Sequence, residues 1–281
     1  MMIQDLDGKK LYNEYEKRGA EPTDSVFLFD MDKMYIREDA EGRPSLLTVA
    51  DFPNTRLQYL FRIEENCYFL AMDEKDKDDV EQIPGITKTQ ARNLRDMSDR
   101  ELAFAAATAY HLYQWYRDNR FCGRCGLPTQ HGSGERMLKC PSCGNSIYPK
   151  IAPAVIVGLI DGDRMLMTKY NGRAYKRYAL IAGFTEIGET AEETVIREVK
   201  EEVGLKAKNV RYYKSQPWGT EQDLLLGYFC DLDGDDETVT LDEEELAMAE
   251  FYPRNALPAQ DDGISLTREM VRVFEEGKEP K

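Results

Sequence analysis

Long apolar runs are missing from this 281-residue sequence. None reaches 18 residues, which excludes a membrane-spanning helix. The opening stretch MMIQDLDGKKLYNEYEKRG lacks the apolar centre of a signal peptide. Positive charge is also short: 37 Lys and Arg stand against 52 Asp and Glu, a formal charge of −15. That balance argues against non-specific binding to nucleic acid, which needs clustered cations. It leaves small anionic substrates open, because divalent cations can supply the missing charge. Histidine is scarce, with only two residues; His111 reads as part of a helix and His131 as part of a loop. Internal repeats and low-complexity tracts are absent. What remains is an ordinary globular composition, 32% charged and 42% apolar. The simplest expectation is a cytoplasmic protein with no membrane partner.

Residues 1–90 alternate short apolar, β-branched and aromatic runs with turn signals. SVFLFD, MYIRE, SLLTV, LQYLFRIEE and CYFLAMDE are strand candidates of a small, mostly antiparallel domain. From Ser98 the pattern changes. Ser98 and Glu101 form a capping box, and ELAFAAATAYHLYQWYRDNR runs to Arg120 without Gly or Pro. Further on, IYPKIAPAVIVGLI opens a second β region, and Asp161-Gly162-Asp163 marks a hairpin. NVRYYKSQ and LLLGYFCDL read as later strands. The acidic stretch DLDGDDETVTLDEEE reads as a hairpin-like connection, and ISLTREMVRVFEEG as a closing helix. Domain boundaries follow at 1–97, 98–120, 121–148 and 149–281.

Four of the six cysteines form CGRC (Cys122, Cys125) and CPSC (Cys140, Cys143), separated by 14 residues. Paired CxxC knuckles at this spacing are a zinc-ribbon signal in a reducing compartment. Gly126 and Gly144 follow the pairs where tight turns are needed. Four thiolates fill the tetrahedron and leave no position for water, so the predicted zinc is structural. Cys67 and Cys230 are isolated and carry no such reading.

Gly183 to Leu205, GFTEIGETAEETVIREVKEEVGL, crowds glutamate against only two basic residues, Arg197 and Lys200. AEETVIREVKEEV lacks Gly and Pro and reads as a helix closed by Gly204. At about 100° per residue, Val195, Ile196, Val199 and Val203 share one face, expected to pack on a sheet. Glu198 and Glu202 fall at the edge of that face and Glu201 further round. Like charges at this spacing repel by roughly 0.2–0.5 kcal/mol per pair unless cations lie between them. Oxygen-rich clusters of this kind suit Mg²⁺ or Mn²⁺.

Gly183, Glu189, Arg197, Glu198, Val199, Glu201, Glu202, Gly204 and Leu205 match every defined position of G-x5-E-x7-R-E-U-x-E-E-x-G-U. The chain thereby resembles the Nudix hydrolases. A zinc ribbon ahead of the motif, YPKIAPAVIV, and SQPW (Ser215–Trp218) resemble the NADH pyrophosphatase branch in particular. The resemblance covers most of residues 90–275, with residues 1–97 as that family's divergent N-terminal domain. It implies an α+β chain whose Nudix part is an α-β-α sandwich on a mixed sheet. It implies hydrolysis of NAD(H) to nicotinamide mononucleotide and AMP, removal of NAD caps from RNA, and a homodimer.

By position, the resemblance assigns Glu198, Glu202 and Glu245 to magnesium or manganese, with the backbone carbonyl of Ala182. Tyr148 and Phe184 match aromatics that sandwich nicotinamide. Glu135 matches a substrate-contacting acid, and Gln216, Pro217, Trp218, Gly219, Thr220, Glu221, Gln222 and Asp223 the substrate loop. Thr267 and Arg92 are further substrate candidates. Glu201 would assist as metal ligand or base, Arg197 would orient a carboxylate, and Glu189 would brace the loop. One departure stands out: the family reads SQPWPFPxS where this chain reads SQPWGTEQD. Without the prolines the loop is expected to be more mobile, and Glu221 and Asp223 bring negative charge near an anionic ligand. Rival readings are a broader Nudix hydrolase of ADP-ribose or related dinucleotides, and a non-catalytic nucleotide- or RNA-binding module.

Overall fold

The computed structural model describes residues 2–73, 75–96, 99–172, 177–234, 237–258 and 264–281. The chain divides into two compact units: Asp5–Lys150 with Gly219–Glu221, and Met1–Gln4 with Ile151–Trp218 and Gln222–Lys281.

In the first unit an eight-stranded sheet comprises β1 (Leu11–Tyr12), β2 (Ser25–Asp30), β3 (Lys33–Glu38), β4 (Pro44–Ser45), β5 (Leu47–Thr48), β6 (Leu57–Ile63), β7 (Asn66–Ala71) and β8 (Ile86–Gln90). A short helix α1 (Lys75–Val80) precedes β8. The order is β1-β6-β7-β2-β3-β4, with β5 on β2 and β8 on β3. Pairing is antiparallel except that β2 runs parallel to β7. Both of these strands are apolar on both faces, as a central parallel pair requires. One face holds Val26, Leu28, Tyr59 and Phe69 in a buried cluster. On helix α2 (Arg100–Asp118), Tyr110 and Tyr113 pack on Phe29 at 5.3 and 5.0 Å.

The helix starts one residue later than the sequence implies. Asp99 is the N-cap, accepting from Leu102 N at 3.1 Å. Ser98 lies outside the described residues. Glu101 does not complete a capping box; it bonds Lys9, Asn66 and Tyr68 instead. Those partners come from elsewhere in the unit, which no local motif reveals.

After α2 come β9 (Gln130–His131), β10 (Leu138–Lys139) and β11 (Ser146–Ile147), a small antiparallel sheet in the same unit. His131 therefore sits on a strand rather than in a loop, its ring stacked on Tyr116 at 5.0 Å.

The second unit has a mixed sheet of β12 (Ala152–Asp161), β13 (Arg164–Tyr170), β14 (Ile181–Phe184), β15 (Ala207–Trp218), β16 (Asp223–Leu232) and β17 (Leu246–Pro253). The order is β15-β16-β12-β13-β17, with β14 on β12. Only β12 and β16 are parallel. Alternation along β12 sends Val155, Val157 and Leu159 to one face and Ile156 and Ile160 to the other. Helix α3 (Ala191–Val203) covers the first face and α4 (Leu266–Glu275) the second. The unit is thus an α-β-α sandwich.

Apart from residues 235 and 236, which lie outside the described residues, the acidic stretch at 231–245 is not paired as a hairpin. It joins β16 to β17, which are not neighbours, since β17 pairs with β13. The connection instead caps α3: Thr240 N donates to Val203 O and Asp242 N to Glu202 O, both at 3.0 Å. Those helix-terminal carbonyls need donors, and the acidic loop's backbone supplies them. The first residues also depart from a simple N-terminal domain. Met2 is buried beside Phe229 and Met270, and Ile3 N bonds Ile264 O.

Candidate metal and pyrophosphate site

Helix α3 is set at both ends. Thr190 and Glu193 form a reciprocal capping box, and Gly204 closes the helix in a left-handed conformation. Val195, Val199 and Val203 are fully buried, each contributing about 1.5–3 kcal/mol. Ile196 is not on that face; it is 39% exposed. The buried arc is shifted toward Thr194, Glu198 and Glu202, all under 9% exposed, which leaves Ile196 just past its far edge.

Burying carboxylates is costly unless they are paired or bound to cations. Glu198 rests against strand β14: a Cβ on Gly183 would lie 2.0 Å from its Oε1 and Cδ. Only glycine admits the carboxylate there, which is the physical reason for the motif's first residue. Glu202 Oε1 accepts from Ala182 N at 3.3 Å. Neighbouring β14 residues therefore meet the two acids one helical turn apart. Glu245, exposed just before β17, and Glu201 both act electrostatically on Glu198.

Arg197 ties the site together. Its Nε and Nη2 fork onto Glu189 at 2.6 and 2.9 Å. Nη1 reaches Glu198 Oε1 at 2.6 Å and Glu201 Oε2 at 2.9 Å, and Nη2 also reaches Phe184 O at 2.9 Å. Glu193, one turn away, takes no part because Thr190 occupies it. The Arg197 fork, with Glu186 N and Thr194 Oγ1, holds the Glu189 carboxyl down at about 2. Burial pushes Glu198 upward, and Arg197 only partly opposes it. Thr194 was not legible as a site residue; a buried threonine inside an acidic helix is its one signal.

A set of carboxylate oxygens on adjacent turns, half desolvated and next to a β-strand carbonyl, is the donor chemistry of Mg²⁺ or Mn²⁺. The residues fit such ions.

In the same unit the substrate-loop residues divide sharply. Gln216 is fully buried. Its Nε2 donates to Ile264 O at 2.8 Å and Gln4 Oε1 at 3.2 Å, and its Oε1 accepts from Leu266 N at 2.7 Å. Strand alternation turns the Gln216 side chain inward, where it holds the start of α4. Asp223 is buried too, pairing with Trp218 across β15–β16. Pro217 is exposed; Trp218, Gln222 and Thr267 are half-buried. Phe184 is 55% exposed.

Gly219, Thr220 and Glu221 belong to the other unit. Gln114 Nε2 on α2 donates to Gly219 O and Thr220 O at 3.4 and 3.3 Å. A Cβ at 219 would meet Ala107 O at 2.2 Å. The loop that lost its prolines thus has an anchor on a helix. Glu221 and Arg92 are exposed. Tyr148, 55% exposed, donates from its hydroxyl to Glu135 Oε1 at 2.9 Å.

The four cysteines converge in that unit, their Sγ atoms within 4.8 Å of one another. Cys122–Cys143 is 3.6 Å and Cys125–Cys140 is 3.4 Å, near the roughly 3.8 Å edge of a tetrahedron with Zn–S about 2.3 Å. Each knuckle closes the same way: Gly126 N bonds Cys122 O and Gly144 N bonds Cys140 O, with φ of 73° and 72°. Those angles demand glycine. The residues fit zinc.

A family model described as the NUDIX domain matches residues 150–274, and one described as the NADH pyrophosphatase zinc ribbon domain matches residues 117–148. The chain is similar to curated proteins named NAD-capped RNA hydrolase NudC. That of Photorhabdus laumondii is 35% identical over 174 residues, covering 62% of this chain and 67% of its own. That of Klebsiella pneumoniae is 35% identical over 182 residues, covering 64% and 70%. That of Pseudomonas aeruginosa is 32% identical over 210 residues, covering 75% and 73%.

Proposed function

Because the chain belongs to the Nudix hydrolases that carry an NADH pyrophosphatase zinc ribbon, we propose that it splits the pyrophosphate of NAD(H). The products are nicotinamide mononucleotide and AMP, and the NAD cap of RNA is a second substrate. The observation that carries this reading is the pair of buried carboxylates, Glu198 and Glu202, seated against Ala182 and Gly183.

Glu198, Glu202, Glu245 and the Ala182 carbonyl would hold magnesium or manganese. Such ions lower the pKa of bound water and neutralise charge on the bridging phosphates. Arg197 keeps Glu189, Glu198 and Glu201 in one arrangement, so the acids need not reorganise when substrate arrives. Glu201, 60% exposed at its side chain, would assist as metal ligand or base. Phe184 and Tyr148, each 55% exposed, are the aromatics the resemblance assigns to nicotinamide, and Glu135 accepts a hydrogen bond from the Tyr148 hydroxyl. Cys122, Cys125, Cys140 and Cys143 would hold a closed structural zinc. Further parts of this reading are a homodimer and a cytoplasmic setting that keeps the thiols reduced. No helix among the described residues is long and apolar enough to cross a membrane.

The test is a product assay with NADH, NAD⁺, NAD-capped RNA and ADP-ribose, each with Mg²⁺ or Mn²⁺. Release of nicotinamide mononucleotide from the dinucleotide is expected. Brisk cleavage of ADP-ribose with none of NAD(H) would overturn the reading.

A further inference from the structure

Glu245 owes its place to backbone contacts. The turn that carries it starts on α3 itself, where Asp242 N donates to the carbonyl of Glu202 at 3.0 Å. Glu245 N and Leu246 N return to Asp242 O at 3.1 and 2.8 Å, and Glu244 N reaches Asp242 Oδ1 at 2.9 Å. The far end is closed by Asn171, just after β13. Its Nδ2 donates to Glu243 O and its backbone N to Glu245 O, both at 2.8 Å. The β13–β17 ladder breaks register between Lys169 and Tyr170, immediately before this clamp. The turn is therefore not placed by sheet pairing alone.

We propose that Asn171 is a positioning residue: by gripping the Glu243–Glu245 backbone it fixes where the Glu245 carboxylate stands, and so tunes affinity for divalent cations. The inference rests on the metal reading of those three glutamates. An amide is required because Glu243 offers a carbonyl and needs a donor. Aspartate has the same shape but presents only acceptors and adds a fifth carboxylate beside the four of Asp242–Glu245. Supports of this kind change metal affinity or activity by roughly tenfold to a hundredfold.

The experiment titrates Mn²⁺ into the protein without substrate and follows free Mn²⁺ by electron paramagnetic resonance. Asn171→Ala should weaken binding about tenfold and Asn171→Asp at least as much, while both variants melt within about 3 °C of wild type. Asn209→Ala, which removes an amide bonded to Asp231 on β16, should leave Mn²⁺ affinity unchanged. Unchanged affinity in Asn171→Asp overturns the proposal even if the alanine variant folds poorly. Wild-type protein that binds no Mn²⁺ overturns both the proposal and the metal reading. Normal Mn²⁺ binding with no cleavage of NAD(H) leaves the positioning role standing and removes only the substrate.

Discussion

At Gly183 one missing methyl group decides the site. The Glu198 carboxylate occupies the space a Cβ would fill, so Gly183→Ala pushes that carboxylate off its perch without asking the backbone for an unusual conformation. Activity should fall roughly tenfold to a hundredfold, with the fold intact by far-UV circular dichroism. Wild-type activity in this variant would mean that the close approach has no bearing on catalysis. The acids at 198, 201 and 202 were readable from helix spacing, whereas Gly183 on β14 and Glu189 ahead of the helix came from the motif's resemblance. Resemblance carries positions, not orientations, so it gave no sign that the Gln216 amide faces inward beneath α4. Asn171 left no trace, since its partners are main-chain atoms some seventy residues away.

Elements gain their stability from their ends and their buried faces. Thr190 caps α3 through a reciprocal box, so Thr190→Ala should cost about 1 kcal/mol and lower the melting temperature by a few degrees. An unchanged melting curve would show that valine burial alone holds the helix. Helix α4 makes a different bond with the sheet. Glu269, 6% exposed, accepts from Arg272, Lys214 and Tyr213. Burial alone would raise its carboxyl, but these donors outweigh it and hold it at about 2. A depressed folded-state value means stability that is present above the unfolded carboxylate range and lost as pH falls toward 2. On the order of 1–3 kcal/mol should disappear between about pH 4.5 and pH 2. Urea midpoints across that window should slope more gently in Glu269→Gln than in wild type; equal slopes would contradict the assignment. Helix limits were legible from glycines and capping residues. The exposure of Ile196 was not, because periodicity gives angles but not which arc the sheet covers.

The whole chain shows where local patterns run out. Strand candidates in residues 1–90 matched real strands, yet nothing in them announced that β2 and β7 run parallel, a pairing fixed only by assembly. Likewise Met2 and Ile3 pack with the C-terminal unit, a partnership that neighbouring residues cannot encode. The cysteine knuckles were legible because zinc geometry leaves few alternatives. A structural ion there couples to folding of its unit. One zinc per chain is expected by elemental analysis, and Cys140→Ser should lose it and melt at least about 5 °C lower. A metal-free wild type of unchanged stability would contradict the ribbon.

The central claim is that carboxylates on adjacent turns of α3 hold the cations that make a phosphoanhydride cleavable. It is tested most directly by an anomalous difference map at the manganese edge, from crystals grown with Mn²⁺ and NAD⁺. Manganese peaks bonded to Glu198 and Glu202 at about 2.2 Å are the predicted result. Peaks only elsewhere, with nucleotide bound and those two carboxylates free of metal, would contradict it.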